Sequence, residues 1–219
     1  MKAMLLAAGR GERMGALTRD LPKPLLEVGG ERLIDRQLRL LAQAGVDQVV
    51  VNLSYLGDAI RDHIGTTSAW GQTVVYSDEG EPPLETAGGI VRALPLLGDA
   101  PFIVANADVY TDFDYLALRR TRAANLLVLV PNPDHHPEGD FGLEPSGVVT
   151  RTPPLLTYGG MALLCPSLFA GVAAGYRKLR PILEAAIDRR AISGLFFGGI
   201  WEDVGTPDRL AELRSLVAG

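Results

Sequence analysis

Met4-Leu5-Leu6-Ala7-Ala8-Gly9-Arg10-Gly11-Glu12-Arg13-Met14, followed by Leu21-Pro22-Lys23-Pro24, decides how this chain is read. An apolar run ends in a glycine turn, a basic residue follows at once, and a lysine then stands between two prolines. Ala3 to Ala7 carries no polar residue, as expected of a strand buried on both faces of a parallel sheet. Glycines let backbone N–H groups come close to phosphate oxygens. The Arg13 guanidinium can fork onto those oxygens, and Lys23 offers a compact point charge. The order suits a polyphosphate. A plainer reading of the same residues is a tight turn and a solvated loop lysine. The third glycine of a dinucleotide fingerprint is missing, and no helix starts directly after the turn, which argues against dinucleotide binding.

Outward from this stretch, strands and helices alternate. Residues 8–30 read as a long loop rich in Gly and Pro, a length that usually marks function. Leu33 to Ala44 has helical periodicity, with Ile34, Leu38 and Leu41 on one face and Gly45 as its stop. Strands follow at Val49–Val51, Val74–Tyr76, Phe102–Ala105 and Leu126–Val130, with helices at Leu56–Ile64 and Gly88–Leu94 between them. The pattern predicts an α/β, Rossmann-like fold: a mostly parallel central sheet flanked by helices. Ligands of such sheets bind at the carboxyl ends of the strands. Beyond Pro131 the pattern changes. It predicts a hairpin over Phe141–Arg151, a strand over Leu155–Cys165, a helix opened by Pro181, and a last helix capped by Thr206-Pro207. The expectation is one domain over residues 1–219: a nucleotide-side part to about 130, then a smaller sugar-side lobe and a C-terminal helix.

Composition narrows the function. The chain has 219 residues, 47% hydrophobic and 21% charged, enough for a sizeable core. The net charge of −5 argues against a nucleic-acid partner, though not against a small anion met by local cations. The one cysteine, Cys165, allows no internal disulfide and reads as a core residue. No stretch approaches the ~20 apolar residues of a membrane span. Lys2 and the short apolar run after it do not make a signal peptide. The expectation is a cytoplasmic protein with no membrane partner, a monomer or a dimer.

Two aspartates stand where packing has no use for them. Asp108 ends the apolar strand in Asn106-Ala107-Asp108, and Asp203 lies in Trp201-Glu202-Asp203-Val204-Gly205-Thr206. Carboxylates from two strand ends could share one Mg2+ on phosphates. The alternative for Asp108 is a cap or turn, a role that Asp112 or Asp114 can also fill. The acidic loop Asp78 to Gly89 suits base N–H groups or sugar hydroxyls, with Gly88 and Gly89 giving room to a flat ring. His135 and His136 read as a loop rim or plain surface. His63 reads as structural, and Arg119-Arg120 and Arg189-Arg190 as solvated helix ends.

Together, Leu6-Ala7-Ala8-Gly9-x-Gly11-x-Arg13-Met14, Leu17-Thr18, Pro22-Lys23-Pro24, Pro83-Leu84-x-Thr86-Ala87-Gly88, Asn106-Ala107-Asp108 and Trp201-x-Asp203-Val204-Gly205-Thr206 resemble the signature of sugar-1-phosphate nucleotidyltransferases. The resemblance spans essentially the whole chain. Asn132-Pro133-x-His135-His136, Gly139-Asp140-Phe141 and Lys178-Leu179 resemble the branch that hands a uridylyl group to N-acetylmuramate-1-phosphate in bacterial cell-wall recycling. The short chain leaves no room for the β-helix acyltransferase domain of longer relatives.

The resemblance implies UTP, or another NTP, and a sugar-1-phosphate as substrates, with Mg2+ as cofactor. It implies that Gly9, Gly11 and Arg13 hold the triphosphate, with Leu6, Ala7, Ala8, Arg10 and Pro83 also against the nucleotide. Lys23 would neutralise the α-phosphate, and with Arg13 and Asp108 it forms the catalytic set. Asp108 and Asp203 would hold the metal. Glu79 and Gly88 would lie near the base. Asn106, which also touches the nucleotide, would contact the sugar with Asp140, Gly142, Gly159 and Gly160. Lys178 would replace the Glu-Lys-Pro segment of many relatives, missing here around 150–156. Ala16 stands where relatives carry proline, and Pro82-Pro83 lengthens the acidic loop. Two competing readings are a mannose-1-phosphate guanylyltransferase, or another hexose-1-phosphate nucleotidyltransferase, and a non-catalytic nucleotide-sensing subunit. The presence of Lys23, Asp108 and Asp203 speaks against the second.

Overall fold

The computed structural model describes residues 1–218. β1 (Lys2–Leu6) runs into two short 3-10 segments, Glu12–Thr18 and Lys23–Leu25, and a small hairpin of β2 (Glu27–Val28) and β3 (Glu31–Arg32). The 8–30 segment is therefore more ordered than a plain loop. Met14, Leu26 and Val28 are buried with Leu33, Val204, Leu210 and Leu213, and this small core ties it down. α1 (Leu33–Gln43), β4 (Gln48–Leu53), α2 (Gly57–Ile64), β5 (Thr73–Asp78), α3 (Glu85–Leu97) and β6 (Phe102–Asn106) continue the alternation. Then come β7 (Val109–Thr111), α4 (Leu116–Arg120), β8 (Leu126–Val130), the hairpin β9 (Phe141–Leu143) and β10 (Val149–Thr150), and the long β11 (Leu155–Leu164). α5 (Leu179–Asp188), β12 (Ser193–Phe196), β13 (Trp201–Asp203) and α6 (Pro207–Ala218) complete the chain.

The main sheet runs β5-β4-β1-β6-β11-β8-β12, with the β9–β10 hairpin joined to the start of β11. β5, β4, β1 and β6 are mutually parallel; β11 is antiparallel to both neighbours, and β12 is parallel to β8. The second half is thus not a lobe resting on the first. Its strand β11 enters the sheet between β6 and β8.

Alternation along the strands divides the core in two, because successive side chains point to opposite faces. Ala3, Leu5, Val49, Val51, Ile103 and Ala105 pack with α1 and α2 on one face. Met4, Val50, Phe102 and Val104 pack with Ile90 and Ala93 of α3 and Leu183 and Ala186 of α5 on the other. Both faces of β1 are covered, which is why its sequence from Ala3 to Leu6 has no polar position.

Several local expectations shift. α3 opens at Glu85, three residues before Gly88. α5 opens at Leu179, so Pro181 is its third residue; the missing N–H still falls among the first four, which lack a partner within the helix. Cys165 lies past β11, partly exposed, with its Sγ accepting a hydrogen bond from Ser167 Oγ, so it is not a core residue. Asp114 takes the local turn role, accepting the Leu116 N–H at 2.9 Å. Asp112 instead accepts the Ile200 N–H at 2.8 Å. His63 is structural, with Nε2 2.8 Å from Asp35 Oδ1. No helix among the described residues is long and apolar enough to cross a membrane.

Candidate active site

The strand order reverses at β1. The chain builds β4 and β5 on one side of it and then β6 on the other, and α/β sheets open a crevice at such a point. A cavity of about 520 Å3 lies there, at the carboxyl ends of β1, β4, β5 and β6. Leu6, Ala7, Ala8, Gly9, Arg10, Gly11 and Arg13 line it from the glycine loop, with Lys23, Asn52, Glu79, Pro83, Asn106 and Asp108 on the other walls. One chain segment and four strand ends thus meet around one space.

The loop is shaped by its own residues. Gly11 has φ +64°, a left-handed conformation that costs a side-chain-bearing residue energy. Its carbonyl accepts the Met14 N–H at 2.8 Å and the Thr18 hydroxyl at 2.9 Å. Met14 is buried, so the neighbouring Arg13 is left exposed on the cavity rim. Pro22 is extended, and the Leu25 N–H closes back on its carbonyl at 2.9 Å. This turn fixes Lys23 where it is 8% exposed, with Nζ donating to Asp108 Oδ2. A mostly buried cation beside a carboxylate interacts strongly, because little water screens it. The solvated-lysine reading of Lys23 is thereby excluded.

Asp108 and Asp203 come together through the β7–β13 ribbon. Asp203 opposes Val109, and the Val204 N–H donates to the Asp108 carbonyl at 3.2 Å. Asp203 Oδ1 accepts from Arg209 Nη1 and lies 3.5 Å from His135 Nε2. Two carboxylates on adjoining strand ends are of the kind Mg2+ takes, with water and phosphate oxygens in its remaining positions, and each here already accepts from a cation, Asp108 from Lys23 and Asp203 from Arg209. No group of three or more His, Cys, Asp or Glu side chains suited to a metal exists among the described residues, so the phosphate oxygens would have to complete the shell. Asp108 lines the cavity, whereas Asp203 stands behind it, next to Gly205 on the lining. Partial burial, and then Arg209, hold the His135 imidazole below its ordinary range. Partial burial pushes the Glu202 carboxyl up, with Arg209 opposing.

Glu79 lines the first cavity, whereas Gly88 does not. Glu79 is buried and both of its oxygens are used: Asn52 Nδ2 donates to one at 2.6 Å and the Leu84 N–H to the other at 2.7 Å. Asn52 Oδ1 in turn accepts the Ala7 N–H at 2.7 Å. Glu79 therefore braces the acidic loop against the glycine loop. Gly88 lies off the cavity lining; a Cβ there would stand 2.2 Å from the Gly175 carbonyl, so its bare backbone serves packing. Sequence reasoning passed over Asn52. The signal was present: it is a buried amide near the end of β4, directly after the apolar Val49–Val51.

A second cavity of about 400 Å3 shares Leu6, Glu85, Thr86 and Asn106 with the first. Asp140, Phe141, Tyr158, Gly160, Lys178 and Arg180 complete its polar and aromatic walls. A bulge in β11 places it: the register against β8 shifts between Tyr158 and Ala162, and Gly160 takes φ +71°. A Cβ on Gly160 would stand 2.5 Å from Asn106 Nδ2, so only glycine leaves room for that amide. Burial, and then Asp140, push the Tyr158 phenol up. Gly142 and Gly159 are not on the lining. Gly142 makes room for the Thr152 carbonyl, and the Gly159 carbonyl accepts the Trp201 indole N–H at 2.9 Å. Arg180 and Tyr158 are lining residues that no spacing in the sequence singled out.

Comparison with known proteins agrees with this geometry. A family model described as nucleotidyl transferase matches residues 2–147. The chain is 46% identical to an N-acetylmuramate alpha-1-phosphate uridylyltransferase of Neisseria meningitidis serogroup B, over 99% of this chain and 98% of the relative. It is 35% identical to the protein of the same name in Caulobacter vibrioides, over 94% and 92%. A mannose-1-phosphate guanyltransferase of Schizosaccharomyces pombe is 27% identical over 94% of this chain and 61% of the relative. Among solved structures, HddC from Yersinia pseudotuberculosis complexed with GMP-PN superposes with a TM-score of 0.77 at 20% identity, covering 98% of each chain. That likeness shows the fold.

Proposed function

The chain belongs to the nucleotidyl transferase family, and we propose that this enzyme transfers a uridylyl group from UTP to N-acetylmuramate-1-phosphate, giving UDP-N-acetylmuramate and pyrophosphate. The observation that carries the proposal is the buried Lys23 paired with the partly buried Asp108 on a nucleotide-sized cavity, with a second, sugar-sized cavity joined to it at Leu6, Thr86 and Asn106. The full-length similarity to two uridylyltransferases supports this choice of donor and acceptor.

In this reading an acceptor phosphate oxygen attacks the α-phosphorus of UTP in line. A new P–O bond forms, the bond to the β-phosphate bridge breaks, and pyrophosphate leaves with that electron pair. No protein nucleophile is needed, because the phosphate monoester already supplies one. The protein aligns two anions that repel each other and neutralises charge on the phosphoryl oxygens. Lys23 meets the charge at the phosphorus under attack. Arg13 and the Gly9–Gly11 backbone hold the outgoing phosphates, while Asn106 stands between nucleotide and sugar. Mg2+, held by Asp108 and Asp203, would supply further positive charge to the phosphoryl oxygens. In this reading the activity serves peptidoglycan recycling in the cytoplasm, and one chain carries both cavities.

The similarity to mannose-1-phosphate guanyltransferases supports a second reading with GTP and mannose-1-phosphate. A panel of the four ribonucleoside triphosphates against N-acetylmuramate-, N-acetylglucosamine-, mannose- and glucose-1-phosphate, read by pyrophosphate release, separates them. The highest kcat/KM is expected for UTP with N-acetylmuramate-1-phosphate. A maximum for GTP with mannose-1-phosphate overturns the proposal.

A further inference from the structure

The second cavity is lined by two cations that phosphoryl transfer does not require, beside the carboxylates of Asp140 and Glu85. The reaction puts the acceptor phosphate on the Lys23 side, so the second cavity receives the sugar. A neutral hexose brings no charge to that end. Yet Lys178 and Arg180 both line it.

Arg180 is held in a fixed pose. Its Nη1 donates to Asp140 Oδ1 at 3.1 Å and its Nε to Glu184 Oε1 at 3.0 Å, with the guanidinium 5.6 Å from the centroid of the Phe141 ring. Its Nη2 makes no hydrogen bond among the described residues. Lys178 is exposed and enters no ion pair among the described residues. Asp140 and Glu184 answer the Arg180 charge, and the charge left without a carboxylate is that of Lys178. Asp140 is spent on Arg180, on the Tyr158 N–H at 2.9 Å and on His136 at 3.3 Å. Glu85 stands at the border with the first cavity, 3.4 Å from the Tyr176 hydroxyl.

We infer that Lys178, with the uncommitted Nη2 of Arg180, binds a carboxylate carried by the sugar, and so selects an acidic hexose-1-phosphate over its neutral counterpart. The inference rests on the proposed uridylyl transfer. N-acetylmuramate is N-acetylglucosamine bearing a lactyl ether, and the carboxylate of that ether is the only charge that distinguishes the two sugars. A lysine meets it as a point charge, and a preorganised guanidinium adds a directed donor.

The test is the ratio of kcat/KM for N-acetylmuramate-1-phosphate to that for N-acetylglucosamine-1-phosphate, with UTP, in the wild type, Lys178→Met, Lys178→Arg and Arg180→Gln. Charge-assisted contacts of this kind are worth about tenfold to a hundredfold. The ratio is expected to fall by about that much in Lys178→Met, through KM for the acidic sugar, to recover partly in Lys178→Arg, and to fall in Arg180→Gln. Equal losses on both sugars in Lys178→Met, with Arg180→Gln leaving the ratio unchanged, overturn the inference and make Lys178 a ligand of the acceptor phosphate. A wild type that turns over the neutral sugar but not the acidic one overturns N-acetylmuramate-1-phosphate as the acceptor in the proposed function, a different result. Both side chains are exposed, and thermal melting of each variant verifies its fold.

Discussion

Lys23 and Asp108 make the first prediction. Electrostatic contacts to a developing charge contribute roughly a hundredfold or more to turnover. Lys23→Ala is expected to lower kcat by at least that factor while the chain stays folded, measured by pyrophosphate release and circular dichroism. Wild-type turnover would remove Lys23 from the chemistry. Asn52 makes the second. Asn52→Ala strips a partner from the Ala7 N–H and from a Glu79 oxygen, both buried. An unmet buried polar group costs about 1–3 kcal/mol. The melting temperature should drop, and calorimetry should show weaker UTP binding because the glycine loop loses its brace. Unchanged affinity would confine Asn52 to stability. Lys23 was legible in sequence because two prolines flagged it. The role of Glu79 was not, because its partner Asn52 lies 27 residues away and only the pairing of β4 with β5 brings the two together.

The β2–β3 hairpin and α1 are held by Glu31, whose oxygens accept from Arg39 Nε at 2.7 Å and Arg39 Nη2 at 2.8 Å, with Arg36 Nη1 at 3.4 Å. The Arg39 contact is the largest cause that holds the Glu31 carboxyl below its ordinary value of 4.5. A depressed folded-state pKa means that this stabilisation is complete above pH 4.5 and fades as pH falls through the depressed value. The pair is partly exposed, so its contribution is about 1 kcal/mol or less. Glu31→Gln should lower the melting temperature at neutral pH, and the gap from wild type should close in acid. A gap that holds constant with pH would assign the loss to packing. The bulge in β11 gives a further prediction. Gly160→Ala adds a Cβ 2.5 Å from Asn106 Nδ2 at φ +71°, a conformation that costs a non-glycine residue roughly 1–2 kcal/mol. KM for the sugar phosphate should rise more than KM for UTP, measured under saturation by the other substrate. Equal changes would separate Gly160 from the sugar site. The main strands and helices of the first half were legible from periodicity alone, since each is a local pattern, whereas the short β2, β3 and β7 were not. The bulge was not, since a register shift belongs to a pair of strands.

The entry of β11 between β6 and β8 is a property of the whole chain, and it joins the two cavities. Sequence placed the halves side by side, because an apolar run does not state which neighbours it will take. The same limit hid Arg180 and Tyr158, which reach one cavity from α5 and β11. What ties the halves together is the reaction at one phosphorus. The most direct measurement follows UTP labelled at its α-phosphate, incubated with N-acetylmuramate-1-phosphate and a divalent cation. The label is expected in UDP-N-acetylmuramate, with unlabelled pyrophosphate released in equal amount and both lost in Lys23→Ala. Label released as UMP, or retained in UTP while the wild type is folded, would contradict the account.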